Sequence, residues 1–167
     1  MPRAIVIWPA KVLSSPTREV KTFGPELHAL LDEMREAMHA AKGIGIAANQ
    51  IGVSQRVAIV GRGDGTFVEM VNPKITARHG EKVWGEGCLS VPGESEEVTR
   101  DEEVEVTWQD RDGKPHTEVA KERFAHVVQH EVDHLDGTVY VMRISPMKRD
   151  IIRRRMVKLQ KSERDED

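Results

Sequence analysis

The chain has 167 residues, 38% hydrophobic and 32% charged, with a formal net charge of −3. That length suits one domain with a real core, and the mixed charge excludes a whole-chain signature of nucleic-acid or membrane binding. The single cysteine excludes an internal disulfide and fits a reducing compartment. The apolar run between Met1 and Pro9 is too short for a signal peptide or a membrane span, so a cytoplasmic location is expected.

In chain order, Pro25 can open a helix at its first turn. Leu27, Leu30, Leu31, Met34, Ala37, Met38 and Ala41 then follow a helical stripe, and Gly43 is expected to end it. Residues 56–60 read as a strand and 61–65 as the turn after it. Residues 67–78 read as one or two further strands around Asn72-Pro73. Val104, Val106 and Trp108 alternate with polar residues, as a half-buried strand requires. Asp112-Gly113 signals a hairpin, with its second strand near 114–119. A helix is expected over 120–136, with Phe124, Val127, Val128 and Leu135 as its apolar face. A last helix is expected over 146–161, with Ile152, Met156 and Leu159 on one side. The fold class that results is α+β: mostly antiparallel β-sheets around a central metal-binding helix, plus an N-terminal and a C-terminal helix.

The chemistry concentrates in residues 129–137, Gln-His-Glu-Val-Asp-His-Leu-Asp-Gly. On a helix His130 and His134 stand at i and i+4, so both rings leave one face and can reach a single metal ion. Glu131 sits beside the pair, free to handle protons. Cys88, in Glu86-Gly87-Cys88-Leu89-Ser90, is the candidate third ligand. Three protein ligands leave one tetrahedral position open, the mark of a catalytic site rather than a structural one. Taken alone, a lone cysteine is more often a small buried hydrophobe. His126 also lies four residues before His130, and His126 and His134 are about 12 Å apart along a helix. The metal pair is therefore 126/130 or 130/134, and the position of Glu131 favours the second. Gly43 to Gln50 reads either as a helix stop followed by small packing residues or as backbone stripped of side chains for a substrate. In the second reading the Gln50 amide offers an N–H to a developing oxyanion.

At these three segments the sequence resembles peptide deformylases. That family carries a Gly-x-Gly-φ-Ala-Ala-x-Gln loop, a Glu-Gly-Cys-Leu-Ser turn and a Gln-His-Glu-x-Asp-His-Leu-x-Gly helix. Here they fall, in the same order, at residues 43–50, 86–90 and 129–137. The likeness extends through residues 110–114 and Ser145-Pro146, so it covers most of the chain. It implies a hydrolase that removes the N-formyl group from the starting methionine of nascent chains, in a bacterial-type cytoplasm or an organelle. By matched position, Cys88, His130 and His134 would hold one divalent metal, natively Fe(II). The ligand set itself suits zinc, iron, cobalt and nickel alike. Glu131 would be the acid/base, and Gln50 with the Leu89 N–H the oxyanion hole. Gly43, Ile44 and Gly45 would lie along the substrate, with Gly45 bonding its backbone. Ile44, Val127 and His130 would line a methionine pocket, with Arg123 and His126 nearer its rim. Glu86 and Asp133 are candidates to orient the ligand histidines.

Two positions depart from the family: Arg123, where an apolar residue is usual, and Ser95, where an arginine is frequent. Ser95 falls in an acidic run (Glu94, Glu96, Glu97, Asp101, Glu102, Glu103) that reads as a solvated face. The resemblance divides the chain into residues 1–147, the catalytic part, and 148–167, a basic helix and tail of the same domain. The basic residues there (Lys148, Arg149, Arg153, Arg154, Arg155, Lys158, Lys161) read as a solvated helix face, to which the resemblance adds a ribosome contact. No membrane partner and no sequence-specific nucleic acid are expected. The competing readings are a His-Glu-x-x-His zinc peptidase and a catalytically weak deformylase-like protein that binds metal or formyl peptides.

Overall fold

The strand β2 (Val57–Gly61) is buried along its whole length because both faces of its sheet are covered. In the computed structural model, which describes residues 1–166, Val57 and Ile59 join the cluster under helix α1 (Pro25–Ala40). Ala58 and Val60 join the cluster under helix α2 (Glu122–Leu135). A β-branched run with period-two alternation is thus apolar on both sides, since neither side meets water. The sheet is antiparallel throughout, in the order β1 (Gly45–Ala47), β2, β3 (Phe67–His79), β6 (Glu103–Gln109), β7 (Pro115–Lys121). A separate hairpin pairs β4 (Lys82–Cys88) with β5 (Val91–Arg100). Helix α3 (Pro146–Glu166) buries Ile152 and Met156 in a third cluster with Trp8, Val91, Val98 and Tyr140. Among the described residues no helix is long and apolar enough to cross a membrane.

The expected α+β arrangement is present, with differences at several boundaries. Helix α1 ends at Ala40, and Lys42 rather than Gly43 takes the left-handed position after it, at φ 57°. The Gly43 N–H then closes the end on the Met38 carbonyl at 2.9 Å, and Ala41 is exposed. Residues 120 and 121 belong to β7, so α2 begins at Glu122. Helix α2 has no solvated face along most of its length: every residue from Phe124 to Leu135 is buried. Residues 67–79 form one strand with register shifts on either side of Lys74. The segment 82–100, read from sequence as a turn and a solvated acidic run, is a two-stranded hairpin.

The break in β3 is held by Asn72, which adopts φ 53°. Its side-chain oxygen accepts the Val20 N–H at 2.8 Å, and its amide donates to the Val20 carbonyl and to Gln109 Oε1, both at 2.9 Å. Asparagine tolerates the left-handed region better than most residues. Asn72→Ala loses those bonds and keeps the strain, so it should destabilise the fold by about 2 kcal/mol in chemical denaturation. An unchanged midpoint would show that the bend is held by something else.

Candidate metal centre

Alternation along β4 places Trp84, Glu86 and Cys88 on one face, with Gly85 and Gly87 on the other. Helix α2 presents His126, His130 and His134 at four-residue steps. Where the two surfaces meet, Cys88 Sγ lies 3.2 Å from His134 Nε2, and His134 Nε2 lies 3.2 Å from His130 Nε2. All three donor atoms fall within 4.8 Å of one another. A thiol sulfur and two imidazole nitrogens this close form a cradle that one metal ion fits. The histidines whose nitrogens meet the sulfur are 130 and 134. His126 turns away and donates from Nε2 to Glu86 at 2.8 Å.

Glu86 organises this junction. One carboxylate oxygen accepts His130 Nδ1–H, which turns Nε2 of that ring toward the sulfur. The other oxygen accepts from His126, and Arg100 donates to both oxygens. Burial by itself would raise this carboxyl, but the donors from His126, His130 and Arg100 hold it far below the usual carboxylate range. His126 lies below its ordinary value because it is buried. Its neutral ring stacks on Trp84, with centroids 5.0 Å apart and planes 3° from parallel. Asp133 does not touch a ligand histidine, contrary to the sequence expectation. It accepts from Arg100 at 2.6 Å and from Arg143 at 2.6 and 2.8 Å, so it anchors Arg100 instead.

A cavity of about 510 Å³ opens beside the three donor atoms. Cys88, Leu89, His130, Glu131, Gln50, Gly43, Ile44, Gly45, Val127, Arg123 and His126 all line it, so the sequence-predicted site converges, apart from His134, which lies behind His130. One placement differs from expectation: His126 is buried to 3% and forms wall rather than rim. Ile44 lines the cavity and is half exposed, at 49%. Ser95 is exposed, as its acidic run suggested, and does not line the cavity.

Gln50 is oriented by its neighbours. The Ala47 N–H donates to its Oε1 at 2.9 Å, which turns its Nε2 toward Ser90 Oγ at 3.1 Å and Cys88 Sγ at 3.6 Å. Gly45 is required on steric grounds: a Cβ there would meet Glu131 Oε2 at 2.5 Å and Val127 at 2.9 Å. Glu131 Oε1 is buried without a hydrogen-bond partner, and burial pushes this carboxyl up to about 7. Sequence reasoning missed Arg100, Trp84 and Ser90. Arg100 sits inside the acidic run and carries no signal of its own in the sequence; only the β4–β5 register brings it to Glu86.

Residues 2–150 match the Polypeptide deformylase family. The chain belongs to that family. A peptide deformylase of Acidobacterium capsulatum is 43% identical, the match covering 97% of this chain and 98% of the relative. One of Helicobacter pylori is 39% identical over 96% of each. A crystal structure of a peptide deformylase from Legionella pneumophila superposes with a TM-score of 0.91 at 39% identity, covering 98% of both chains. A deformylase structure from Ehrlichia chaffeensis in complex with actinonin superposes with a TM-score of 0.88 at 34% identity, covering 98% of both. The chain is thus a deformylase, an enzyme that removes the N-formyl group from nascent polypeptides with the help of a metal. The zinc-peptidase reading falls away.

The geometry makes the metal centre dependent on Glu86. Glu86→Gln keeps the shape but removes the charge that fixes the His130 ring and balances Arg100. Metal retention during dialysis against a chelator should fall by about 10- to 100-fold, with the circular dichroism spectrum preserved. Retention equal to the parent protein would separate Glu86 from the metal.

Proposed function

We propose that this deformylase holds one divalent metal on Cys88 Sγ and the Nε2 atoms of His130 and His134, and uses Glu131 as its acid–base group. The observation that carries the reading is a buried, unpartnered carboxylate oxygen in the wall of the cavity that the donor atoms share. A divalent metal held there would supply Lewis-acid polarisation of water and carbonyl. Glu131 takes the proton from the attacking water and returns it to the departing amine nitrogen. Gln50 Nε2 and the Leu89 N–H meet the negative charge that develops on the formyl oxygen. Products are formate and a free N-terminal methionine.

The substrate backbone adds to a sheet edge. Among the described residues β1 pairs only with β2, and Gly45 at its start lines the cavity. The methionine side chain enters between Ile44, Val127 and the His130 ring. Arg123 stands at the mouth and His126 on the wall. We take the native ion to be Fe(II), with zinc, nickel and cobalt able to replace it, because one thiolate with two imidazoles accommodates all four. We place the protein in a bacterial-type cytoplasm.

Protein loaded anaerobically with iron should release formate from formyl-Met-Ala-Ser and leave acetyl-Met-Ala-Ser intact. Glu131→Gln should keep its metal and lose about 10²- to 10⁴-fold in kcat. Near-normal turnover by a metal-replete Glu131→Gln protein would overturn the role given to Glu131. A full complement of metal in the parent protein with no formate release would favour a deformylase-like binder.

We also propose that helix α3 contacts the ribosome. Lys148 and Arg155 pair with Glu96 and Glu94 of β5, Arg154 pairs with Asp150, and Arg153 lies over Trp8. Arg149, Lys158 and Lys161 make no ion pair among the described residues and are offered to phosphates. The triple substitution of these three residues to Glu should abolish co-sedimentation with ribosomes at low salt and leave formate release from the free peptide unchanged. Undiminished co-sedimentation would remove the contact.

A further inference from the structure

We propose that Lys42 and Arg123 make the mouth of the cavity selective for acidic residues in the two positions that follow the formylated methionine. The inference rests on the deformylase reading of the same cavity and extends it to the rest of the nascent chain. The direction of the peptide follows from burial. The reacting carbonyl lies near Glu131 and Gln50. Beyond them the chain path is closed, because Ala47, Ala48 and Asn49 are fully buried and Gln50 is 1% exposed. A peptide held along Gly45 therefore leaves past Ile44 and Gly43 toward Lys42.

The charges along that exit have one sign. The acidic residues lining the cavity, Glu86 and Glu131, are buried at 3% and 2%. The exposed charged residues lining it are Lys42 and Arg123, in a chain whose net charge is −3. Neither makes an ion pair among the described residues, whereas Arg62, Arg100, Arg111 and Arg143 all do. Nearby carboxylates are engaged elsewhere: Glu122 lies 3.6 Å from Lys82, Glu94 lies 2.6 Å from Arg155, and Asp64 accepts from Thr66 Oγ1 at 2.6 Å.

Arg123 is held by its neighbours, and the Lys42 backbone is fixed by the end of α1. A Cβ at Gly63 would lie 3.2 Å from the Arg123 Cβ, a tight contact. Its guanidinium donates to His126 Nδ1 at 3.4 Å, the nitrogen left free when Nε2 donates to Glu86. Lys42 occupies the left-handed turn that ends α1, a conformation where glycine is less strained. Exposed charge pairs each change affinity by only a few-fold, so two acting together give about tenfold.

The test compares kcat/KM for three C-terminally amidated peptides, formyl-Met-Glu-Glu, formyl-Met-Ala-Ser and formyl-Met-Lys-Lys, on the metal-loaded protein. The order expected is Glu above Ala above Lys, with a Glu-to-Lys ratio of about 10 or more at low salt, carried mainly by KM. That ratio should shrink at 0.5 M salt, where the screening length is about 4 Å. The double variant Lys42→Glu/Arg123→Glu should invert the order, whatever its absolute rate. Formate from all three peptides at rates within twofold, or a preference for the lysine peptide, overturns the inference and leaves the deformylase reading standing. Formate from none of them overturns that reading and the inference with it.

Discussion

Glu86 keeps its charge in the interior only because Arg100, His126 and His130 all donate to it. An isolated carboxylate at that depth would take up a proton, and its grip on His130 Nδ1 would be lost. The rest of the centre depends on this arrangement. With Nδ1–H committed, His130 has one ring orientation, and its Nε2 faces Cys88 and His134. Asp133 and Arg143 secure Arg100 from the far side. A chain of alternating charges thus runs from the protein surface at Arg143 to the ligand ring, and each member is placed by the one before it.

The same arrangement joins three elements at the site. β4 supplies Glu86 and Cys88, β5 supplies Arg100, and α2 supplies the histidines, Glu131 and Asp133. The hairpin and the helix are therefore joined by ion pairs as well as by packing. Helix α3 ties β5 down again through Lys148–Glu96 and Arg155–Glu94, with Ile152 and Met156 beneath. Glu94 and Glu96 of the acidic run thus meet a basic helix, while Glu97 stays exposed.

What could be read from sequence was local or unique. His130 and His134 declare themselves by helical spacing, and Cys88 is the lone cysteine in a short glycine-flanked turn. The amphipathic stripe of α1 and the alternation of β6 are one-dimensional patterns, and both elements are present. Arg100 was not legible, because its burial depends on a partner fourteen residues away across a hairpin. That hairpin was itself hidden, since β4 and β5 are rich in glycine and glutamate, poor strand formers on their own. His126 was ambiguous for the same reason. Spacing offered it as a ligand, and only the position of Glu86 shows that it belongs to the wall.

The edge of β1 turned away from β2 is the kind of feature that lets one protein stick to another. Here it is three residues long and is closed at the end nearest the chemistry by the buried turn from Ala48 to Ile51. With the substrate placed as proposed, an internal loop or the margin of a folded sheet, which has chain on both sides, would not enter a slot closed at one end, whereas a polypeptide terminus would. Such a slot would discriminate by chain topology before any side chain is read, and finished proteins, whose ends are tucked away, would be poor competitors for it.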